Sequence, residues 1–555
     1  MEKVEIMALG GLDEDGKNMY LIEINGDIFI VDCGLKYPSE ATQLGINYII
    51  PDFSYLLANK ERVKAVFITH GHDDVMAALP HLIKELEVPV YVTPLTAKLL
   101  EIEFKKNKVK HHKFHIIQRQ DTFKVAGHKI HTFPVVQSIP DGFGLSFETD
   151  HGQIVYTSEF IVDYDFISPA FSMDVNAIAE MGKNNVLCLL TESGGAGRNG
   201  YTSPRHRISD IMEPHFETHE NRILVTLYKQ NLFRIIEFLE LAHRYNRRVL
   251  FLDEKNVDLL KEVEALGYYS IPKNLLIDKK DFKNDMEDVL IIVSGSGNEV
   301  FKIMNRIAIN EDALIELRSS DKVIISSPVV PGTEKEASDM ENDLYKCGVS
   351  VVKVNAKEVL SMHASIEDIK MMLFMLKPRY FLPVRGDYAN LVANAKIATS
   401  MGYLPKRIII LDNGQFATFE DGRLVSSMDK IKLVDTMIDG NDKLDVQGMV
   451  LKDRETLSTD GLIVAGVFLN FKTKEICGGP DVQSRGVIYL KDADHIVEQI
   501  GKILIETINT AVKEKRYENM AIRMEAKEKI QRYMLKETGK RPMILPAIIE
   551  INLEG

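Results

Sequence analysis

The residues best suited to chemistry in this sequence are two histidines and an aspartate on one short turn. His70, His72 and Asp74 follow Val63–Thr69, an apolar, β-branched segment that is typical of a buried strand. After the turn, DDVMAALPHLIKEL predicts one helix with a carboxylate-rich start. Two imidazoles one residue apart at a strand end can face one ion, and a carboxylate two positions on can reach the same place. The turn therefore predicts a metal site.

Composition limits the class of protein. The length of 555 residues predicts about three or four domains, and 45% hydrophobic with 27% charged residues is ordinary for a globular protein. The 68 basic and 81 acidic side chains give a formal net charge of −13. This balance excludes a globally basic nucleic-acid coat but allows a local basic channel. The four cysteines lie far apart without a CxxC or CxxH pair, so neither a zinc knuckle nor a disulfide framework is expected.

The sequence gives no sign of a membrane or secretory protein. No positively charged segment followed by an apolar stretch is found near Met1, and no apolar run approaches the roughly 20 residues that span a bilayer. We therefore expect no membrane association and a cytoplasmic location.

The hydrophobic pattern divides the chain into successive regions. Short strands and turns come first, and from Val186 apolar strands alternate with amphipathic helices, which predicts a parallel sheet covered on both faces. His363 then precedes a predicted helix, where a lone histidine is more often a cap or a core residue, and Arg385 follows a strand. After a polar, turn-rich connection, two strands (LIVAGVFLNF and RGVIYLKDAD), two helices and a last strand predict a small α/β domain.

The turn resembles the signature loop of the metallo-β-lactamase superfamily, whose full form is His-x-His-x-Asp-His. Val75 stands at the last position of this pattern, where an isopropyl group cannot replace the imidazole that binds a second metal ion. Asp32, at the end of the third predicted strand, matches an aspartate that orients the metal-site loops in the superfamily. Spacing alone is equally compatible with an ordinary turn aspartate.

Over its whole length the sequence resembles bacterial ribonuclease J. The landmarks, in order, are GGLDEDGKNMY, GINYIIPD, FITHGHDD, SIPDGFG, SSPVVPGTEK, KPRYFLPVRGDY, GPDVQSRGVIYL and KRPMILPAIIE. The resemblance implies an α/β protein: a metallo-β-lactamase αββα sandwich with an inserted, doubly wound β-CASP domain and a small C-terminal α/β domain. It implies a first metallo-β-lactamase part over residues 1–190, the β-CASP domain over 191–370, a second metallo-β-lactamase part over 371–440, a linker over 441–460 and the C-terminal domain over 461–555.

The resemblance also assigns site residues, position by position. Four positions keep a metal-binding side chain: His70, His72, Asp74 and Glu159, the last in place of an aspartate. Three further histidine ligands of the family are replaced here, by Val75, Gln137 and Arg385. Asp74 and His363 take the catalytic positions. The substrate-binding positions are Val359, Leu360, Ser361, Met362, His363 and Arg385. Met362 replaces a glycine, which costs close approach of the backbone to a phosphate.

The depleted ligand set predicts at most one weakly held divalent ion, zinc or manganese. The loss of residues that only support metal ligands already costs roughly 10–100-fold in metal affinity or activity, so three lost imidazoles predict slow catalysis. Arg385 is always cationic and pairs well with carboxylates and phosphates. We expect it to face Asp74 and Glu159, to take the electrostatic role of a second ion and to favour an RNA phosphate.

The resemblance implies RNA processing and decay. The family degrades RNA from a 5′-monophosphate end in the 5′-to-3′ direction, and sometimes cleaves internally. The eroded ligand set resembles the second ribonuclease J paralogue of low-GC Gram-positive bacteria, which implies a homologous partner chain and self-association. The alternative is a non-catalytic RNA-binding and structural subunit of a complex with an active paralogue. Small-molecule hydrolysis is disfavoured because it requires neither the β-CASP insertion nor the C-terminal domain.

Overall fold

The computed structural model describes residues 1–38, 45–110, 112–330, 332–440, 442–444, 449–487 and 494–552. The chain forms two compact units, Met1–Glu40 with Asn47–Asn441, and Ala41–Ile46 with Asp442–Gly555. Among the described helices, none combines the length and the apolar character that a bilayer crossing needs.

The elements of both units, in chain order, are as follows. The strands are β1 (Lys3–Gly10), β2 (Met19–Ile24), β3 (Asp27–Val31), β4 (Tyr48–Ile50), β5 (Val63–Ile68), β6 (Val90–Val92), β7 (His115–Ile116), β8 (Thr122–Val125), β9 (His128–Pro134), β10 (Phe143–Thr149), β11 (Gly152–Tyr156), β12 (Val186–Glu192), β13 (Ile223–Tyr228), β14 (Arg248–Phe251), β15 (Val289–Gly295), β16 (Lys322–Ile325), β17 (Ser350–Lys353), β18 (Tyr380–Val384), β19 (Phe416–Glu420), β20 (Arg423–Ser426), β21 (Thr436–Asp439), β22 (Asp442–Leu444), β23 (Leu462–Asn470), β24 (Ile476–Arg485) and β25 (Met543–Ile551). The helices are α1 (Ser54–Ala58), α2 (Asp73–Met76), α3 (Leu79–Ile83), α4 (Pro94–Lys106), α5 (Val175–Lys183), α6 (Ser209–Glu217), α7 (Leu232–Arg244), α8 (Glu254–Ala265), α9 (Glu299–Ala308), α10 (Glu334–Lys346), α11 (Ile366–Leu376), α12 (Tyr388–Ser400), α13 (Met449–Thr459), α14 (Asp494–Lys513) and α15 (Asn519–Thr538).

Two sheets of the first unit face each other. One has the strand order β20-β19-β1-β2-β3-β5-β6-β7 and the other has the order β18-β12-β11-β10-β9-β8. A buried apolar cluster joins them, in which the ring centroid of Phe147 lies 5.5 Å from that of Phe29 and 5.8 Å from that of Phe67. Helices α3 and α4 cover the outer face of the first sheet, and α5, α11 and α12 cover that of the second. The predicted α/β/β/α sandwich is confirmed.

A parallel sheet with the order β14-β15-β13-β16-β17 belongs to the same unit. Side chains alternate across β13, so that Ile223 and Val225 pack with α7 and α8 while Leu224 packs with α9 and α10. The predicted doubly wound sheet is confirmed. Strand β12, with which the alternating pattern begins, lies instead in the sandwich, where it is parallel to β11 and β18.

Helix α11 returns the chain from the inserted region to the sandwich. Its buried residues Ile369 and Leu373 pack in the same apolar cluster as Leu189 of β12. The boundary expected between residues 370 and 371 lies inside this helix, so residues on both sides of it belong to one packed element.

The segment after the metal turn forms two short helices, α2 and α3, rather than the single predicted helix. The backbone N–H of Ala78 donates to the carbonyl of Cys33 at 3.0 Å, outside the helix. Pro80 has no N–H to continue the ladder. Both features interrupt the helical hydrogen bonding between Met76 and Leu79.

The second unit contains a small sheet in which β23 pairs with antiparallel β24 and parallel β25. Alternate residues Ile463, Ala465 and Val467 are buried against α14 and α15, which confirms the predicted α/β domain. The second strand was expected at RGVIYLKDAD, but β24 ends at Arg485, and residues 488–493 lie outside the described residues. Strand β24 contains the sequence Gly-Gly-Pro. Residue propensities do not predict a strand there, because glycine and proline are depleted in strands.

The linker expected over residues 441–460 is partly helical. Residues 449–459 form α13, which is rich in side chains that favour helices, such as leucine, lysine, arginine and glutamate. Residue 441 and residues 445–448 of this linker lie outside the described residues.

Candidate metal centre

A buried aspartate fixes the turn that carries the two histidines. Asp32 accepts hydrogen bonds at 2.9 Å from both the backbone N–H and the hydroxyl of Thr69, and at 2.8 Å from the hydroxyl of Tyr156. Burial raises the pKa of Asp32 to about 7. These bonds hold the end of β5 one residue before His70, which is the role that the superfamily resemblance implies for this aspartate.

His70, His72 and Glu159 converge on one point. His70 is fully buried, and its Nε2 lies 3.0 Å from His72 Nδ1 and 3.2 Å from Glu159 Oε1. The same Glu159 oxygen is 3.6 Å from His72 Nδ1. One ligand atom from each of the three side chains lies within 4.8 Å of the other two. Two imidazoles and a carboxylate fit one zinc or manganese ion.

The protonation states of this group suit a metal ion. Burial lowers the pKa of His70, which favours the neutral imidazole. Burial alone would raise the pKa of Glu159, but the charge of Arg385 and the contacts with the two imidazoles hold it well below its usual range. A neutral imidazole and an ionised carboxylate are the forms that bind metal.

Asp74 contacts a guanidinium. Its Oδ2 accepts from Arg385 Nη2 at 2.6 Å and from Asn18 Nδ2 at 3.1 Å, and the same Arg385 nitrogen contacts Glu159 Oε1. Burial alone would lower the pKa of Arg385, but Asp74 and Glu159 raise it well above its usual value. Gly34 allows the backbone of Asp74 to lie close to the loop after β3. A Cβ on Gly34 would be only 1.6 Å from the Asp74 carbonyl oxygen. The contact predicted from the sequence between Arg385 and both carboxylates is present.

A second ion does not fit the described residues. Val75 is buried in an apolar cluster. Gln137 is fully buried, and neither its amide oxygen nor its amide nitrogen has a hydrogen-bond partner within the described part of the chain. The two carboxylates that remain, Asp74 and Glu159, are already paired with Arg385.

His363 faces the same region from the start of α11. Its Nδ1 lies 2.8 Å from Glu192 Oε2 and 3.9 Å from Glu159 Oε2. The other Glu192 oxygen accepts from the backbone N–H groups of Phe160 at 2.9 Å and Ala364 at 3.0 Å, so this carboxylate is fixed. Partial burial alone would lower the pKa of His363, but Glu192 raises it.

The predicted substrate segment before α11 is held by Arg198. The guanidinium donates to the hydroxyl of Ser361 at 3.0 Å and to the carbonyl of His363 at 2.9 Å. The side chains of Val359, Leu360 and Met362 are buried, whereas Ser361 is exposed.

One cleft of about 560 Å³ connects these groups. Its lining includes His72, Glu159, Arg198, Arg234, His363 and Arg385. All of the predicted substrate-binding positions contribute to the lining, and His70 and Asp74 join it through their contacts with Glu159 and Arg385. The cleft therefore combines a carboxylate and imidazole group with fixed cations.

Two residues of the site were missed by the sequence argument. Glu192 ends the apolar strand VLCLLTES, and a carboxylate directly after a buried strand is the signal that could have identified it. Arg198 lies in a glycine-rich loop, where neither spacing nor periodicity indicates its contact with a segment 163 residues away.

Family models match four successive parts of the chain. They are described as the metallo-beta-lactamase superfamily (residues 12–156), the ribonuclease J beta-CASP domain (220–344), the Zn-dependent metallo-hydrolase RNA specificity domain (351–409) and the ribonuclease J C-terminal domain (449–551). With the sandwich, the inserted parallel sheet and the histidine turn, these matches define a metallo-β-lactamase protein with a β-CASP domain.

Relatives of this class extend over the same length. Ribonuclease J 2 of Staphylococcus aureus (strain MRSA252) is 32% identical over 550 residues, which cover 99% of this chain and 98% of the relative. Ribonuclease J 2 of Staphylococcus epidermidis (strain ATCC 12228 / FDA PCI 1200) is 31% identical with the same coverage. The chain belongs to the ribonuclease J family.

The solved structures include a similar fold. A crystal structure of a protein of unknown function from Enterococcus faecalis V583 has a TM-score of 0.53 and 15% identity, and the match covers 75% of this chain and 100% of that chain. At this identity the likeness supports the fold alone.

Proposed function

We propose that this chain is a metal-dependent ribonuclease that acts on RNA with a 5′-monophosphate end, as a 5′-to-3′ exonuclease and also as an endonuclease, and that it cleaves slowly. The observation that carries the proposal is the cleft in which His72, Glu159 and His363 meet three arginines. Cationic side chains beside a metal-binding group suit a phosphodiester substrate. RNA as the substrate makes the cytoplasm the compartment that we propose.

The slow rate follows from the donor set. His70, His72 and Glu159 would hold one zinc or manganese ion, and the described residues offer no complete set for a second. When bound, the ion supplies Lewis acidity to a phosphodiester and lowers the pKa of water. A site that lacks its second ion loses the clamp on the opposite side of the reacting phosphate.

The chain's own residues would do the remaining work. Glu192 holds His363 Nδ1 at 2.8 Å, so His363 Nε2 is the nitrogen that we assign to the phosphate or to proton donation to the leaving oxygen. Asp74 uses Oδ2 for both of its side-chain bonds, to Arg385 and Asn18, so Oδ1 is the oxygen that we assign to proton acceptance. Arg198 holds the substrate segment through the Ser361 hydroxyl and the His363 carbonyl.

The test uses the purified full chain and single-stranded RNA that carries a 5′ monophosphate. Cleavage with added manganese should fall to background when His70→Ala and His72→Ala are combined, and when metal is removed by a chelator. His243→Ala, which changes an exposed histidine of α7, is the matched control and should leave the rate unchanged. The parent rate should be about 10–100-fold or more below that of a fully liganded relative.

Equal degradation by the parent and the double variant would contradict the nuclease proposal. The second candidate would then apply: a non-catalytic RNA-binding and structural subunit that associates with an active paralogue. The contact of Arg385 with both remaining carboxylates favours this candidate, because it occupies one oxygen of each. Co-purification with an active family member, and unchanged stimulation of that partner by the double variant, would support it.

We also propose the domain division drawn from the sequence: 1–190 and 371–440 for the metallo-β-lactamase parts, 191–370 for the β-CASP domain, 441–460 for the linker and 461–555 for the C-terminal domain. Family matches at 12–156 and 220–344 support the first two parts, whereas the match at 351–409 spans the 370/371 boundary and the match at 449–551 begins inside the linker. The continuous helix α11 favours moving the 370/371 boundary towards the N-terminal end of that helix.

A further inference from the structure

Arg385 contacts both of the carboxylates that remain at the candidate metal centre. Only 8% of the residue is exposed. Its Nη2 lies 2.6 Å from Asp74 Oδ2 and also contacts Glu159 Oε1, so a single nitrogen bridges two carboxylates. The guanidinium thereby neutralises one of the two negative charges and orients the oxygens that carry them.

The contacted oxygen of Glu159 is the one that faces the two imidazoles. Glu159 Oε1 lies 3.2 Å from His70 Nε2 and 3.6 Å from His72 Nδ1. An ion bound by His70, His72 and this oxygen would have to share the oxygen with the guanidinium or displace it. Arg385 would therefore compete with the ion bound by His70, His72 and Glu159 as well as with any second ion.

The backbone holds Arg385 in place. Arg385 has a φ of +58°, a left-handed conformation that is uncommon for a residue other than glycine. Its carbonyl accepts from the Ser193 N–H at 3.1 Å, and the next carbonyl, of Gly386, accepts from the Glu14 N–H at 3.2 Å. Surrounding structure must stabilise such a conformation, so the position of this side chain is built into the fold.

We infer that Arg385 is an internal competitor for divalent cations, which weakens the first metal site and excludes an ion from the second. The inference rests on the metal site of the proposed function. It concerns the chain's affinity for metal in the absence of RNA. Two like charges a few ångströms apart in a buried site repel strongly, so removing the guanidinium charge should increase metal affinity.

The experiment measures manganese binding to the full chain without RNA, by elemental analysis after gel filtration and by electron paramagnetic resonance. Wild-type protein should retain at most one weakly bound ion per chain. Arg385→Gln, which removes the charge but keeps a polar side chain, should bind manganese at least about tenfold more tightly. Arg385→Lys keeps a positive charge and should stay close to wild type.

A matched control separates a local effect from a change in net charge. Arg407→Gln removes the same charge from an exposed position and should leave manganese affinity unchanged. Equal affinities for wild type and Arg385→Gln would overturn the inference. Two tightly bound ions in the wild type would also overturn it, and this measurement needs no variant to fold.

The outcome is independent of the test of function. If Arg385→Gln gains metal affinity while neither protein cleaves RNA, the inference stands and the nuclease proposal falls. If wild type cleaves RNA in a metal-dependent way but Arg385→Gln gains no affinity, the nuclease proposal stands and the inference falls.

Discussion

Two buried arginines of the first unit are held in different ways. Arg222, just before β13, donates to both carboxylate oxygens of Asp321, at 2.9 and 2.6 Å. It also donates to Asn284 Oδ1 at 2.9 Å and to the carbonyl of Glu316 at 2.7 Å. Each of its three nitrogens therefore has a partner.

Arg385 is nearly as buried but is less completely bonded. Its Nη2 makes both ion pairs, with Asp74 and Glu159, while Nη1 is buried and has no hydrogen-bond partner among the residues that the structure describes. A guanidinium whose donors are all satisfied stabilises a fold. Arg385 instead pairs with two carboxylates beside a cleft through one nitrogen, while another nitrogen stays unpaired among the described residues. Such a guanidinium mainly determines the net charge of the site.

The largest change in the free energy of unfolding should come from removing the carboxylate that pairs with Arg222. Asp321→Ala leaves the Arg222 charge buried without its carboxylate and should lower the free energy of unfolding by about 3–5 kcal/mol. Urea denaturation of the full chain measures the loss. Asp288→Ala is the control, because Asp288 is largely exposed and pairs with Arg248 at 3.3 Å. That control should cost about 0–1 kcal/mol, and equal losses would remove the contrast between buried and surface pairs.

Asp74→Ala should have a smaller effect. Arg385 keeps Glu159 as a partner, and the Asp74 side chain is 25% exposed, so the lost bonds to Arg385 and Asn18 should cost about 1–2 kcal/mol. The same urea experiment compares it directly with Asp321→Ala. A loss as large as that of Asp321→Ala would mean that Arg385, like Arg222, serves mainly to stabilise the fold.

The parts of this site that the sequence predicts are those fixed by local geometry. His70 and His72 lie on a turn directly after an apolar strand, so spacing alone brings them together. Opposite charge predicts the contact of Arg385 with Asp74 once the family resemblance places both at one centre. Strand and helix periodicity predicts the parallel sheet covered on both faces for the same local reason, whereas the sandwich is what the family resemblance implies.

The remaining parts depend on contacts between distant segments. Glu192 meets His363 across 171 residues because β12 joins the sandwich sheet, whereas the alternating pattern that begins with it suggests the inserted sheet. The break between α2 and α3 depends on the carbonyl of Cys33, in the loop after β3. Tertiary pairing decides such features, and a single sequence does not record it.

The smallest expected change in the free energy of unfolding is a gain in stability, at Gln137. The amide of Gln137 is fully buried without a hydrogen-bond partner in the described part of the chain, so Gln137→Leu should raise the free energy of unfolding by about 1 kcal/mol. Gln153→Leu is the matched control. Gln153 is also buried, but its Oε1 accepts from the Ser146 hydroxyl at 2.6 Å, so the same change should lower stability by about 1–2 kcal/mol because it leaves that hydroxyl unpaired. A loss of stability in Gln137→Leu would mean that its amide makes a polar contact in solution, and Gln137 would then resemble the satisfied Arg222 more than the half-bonded Arg385.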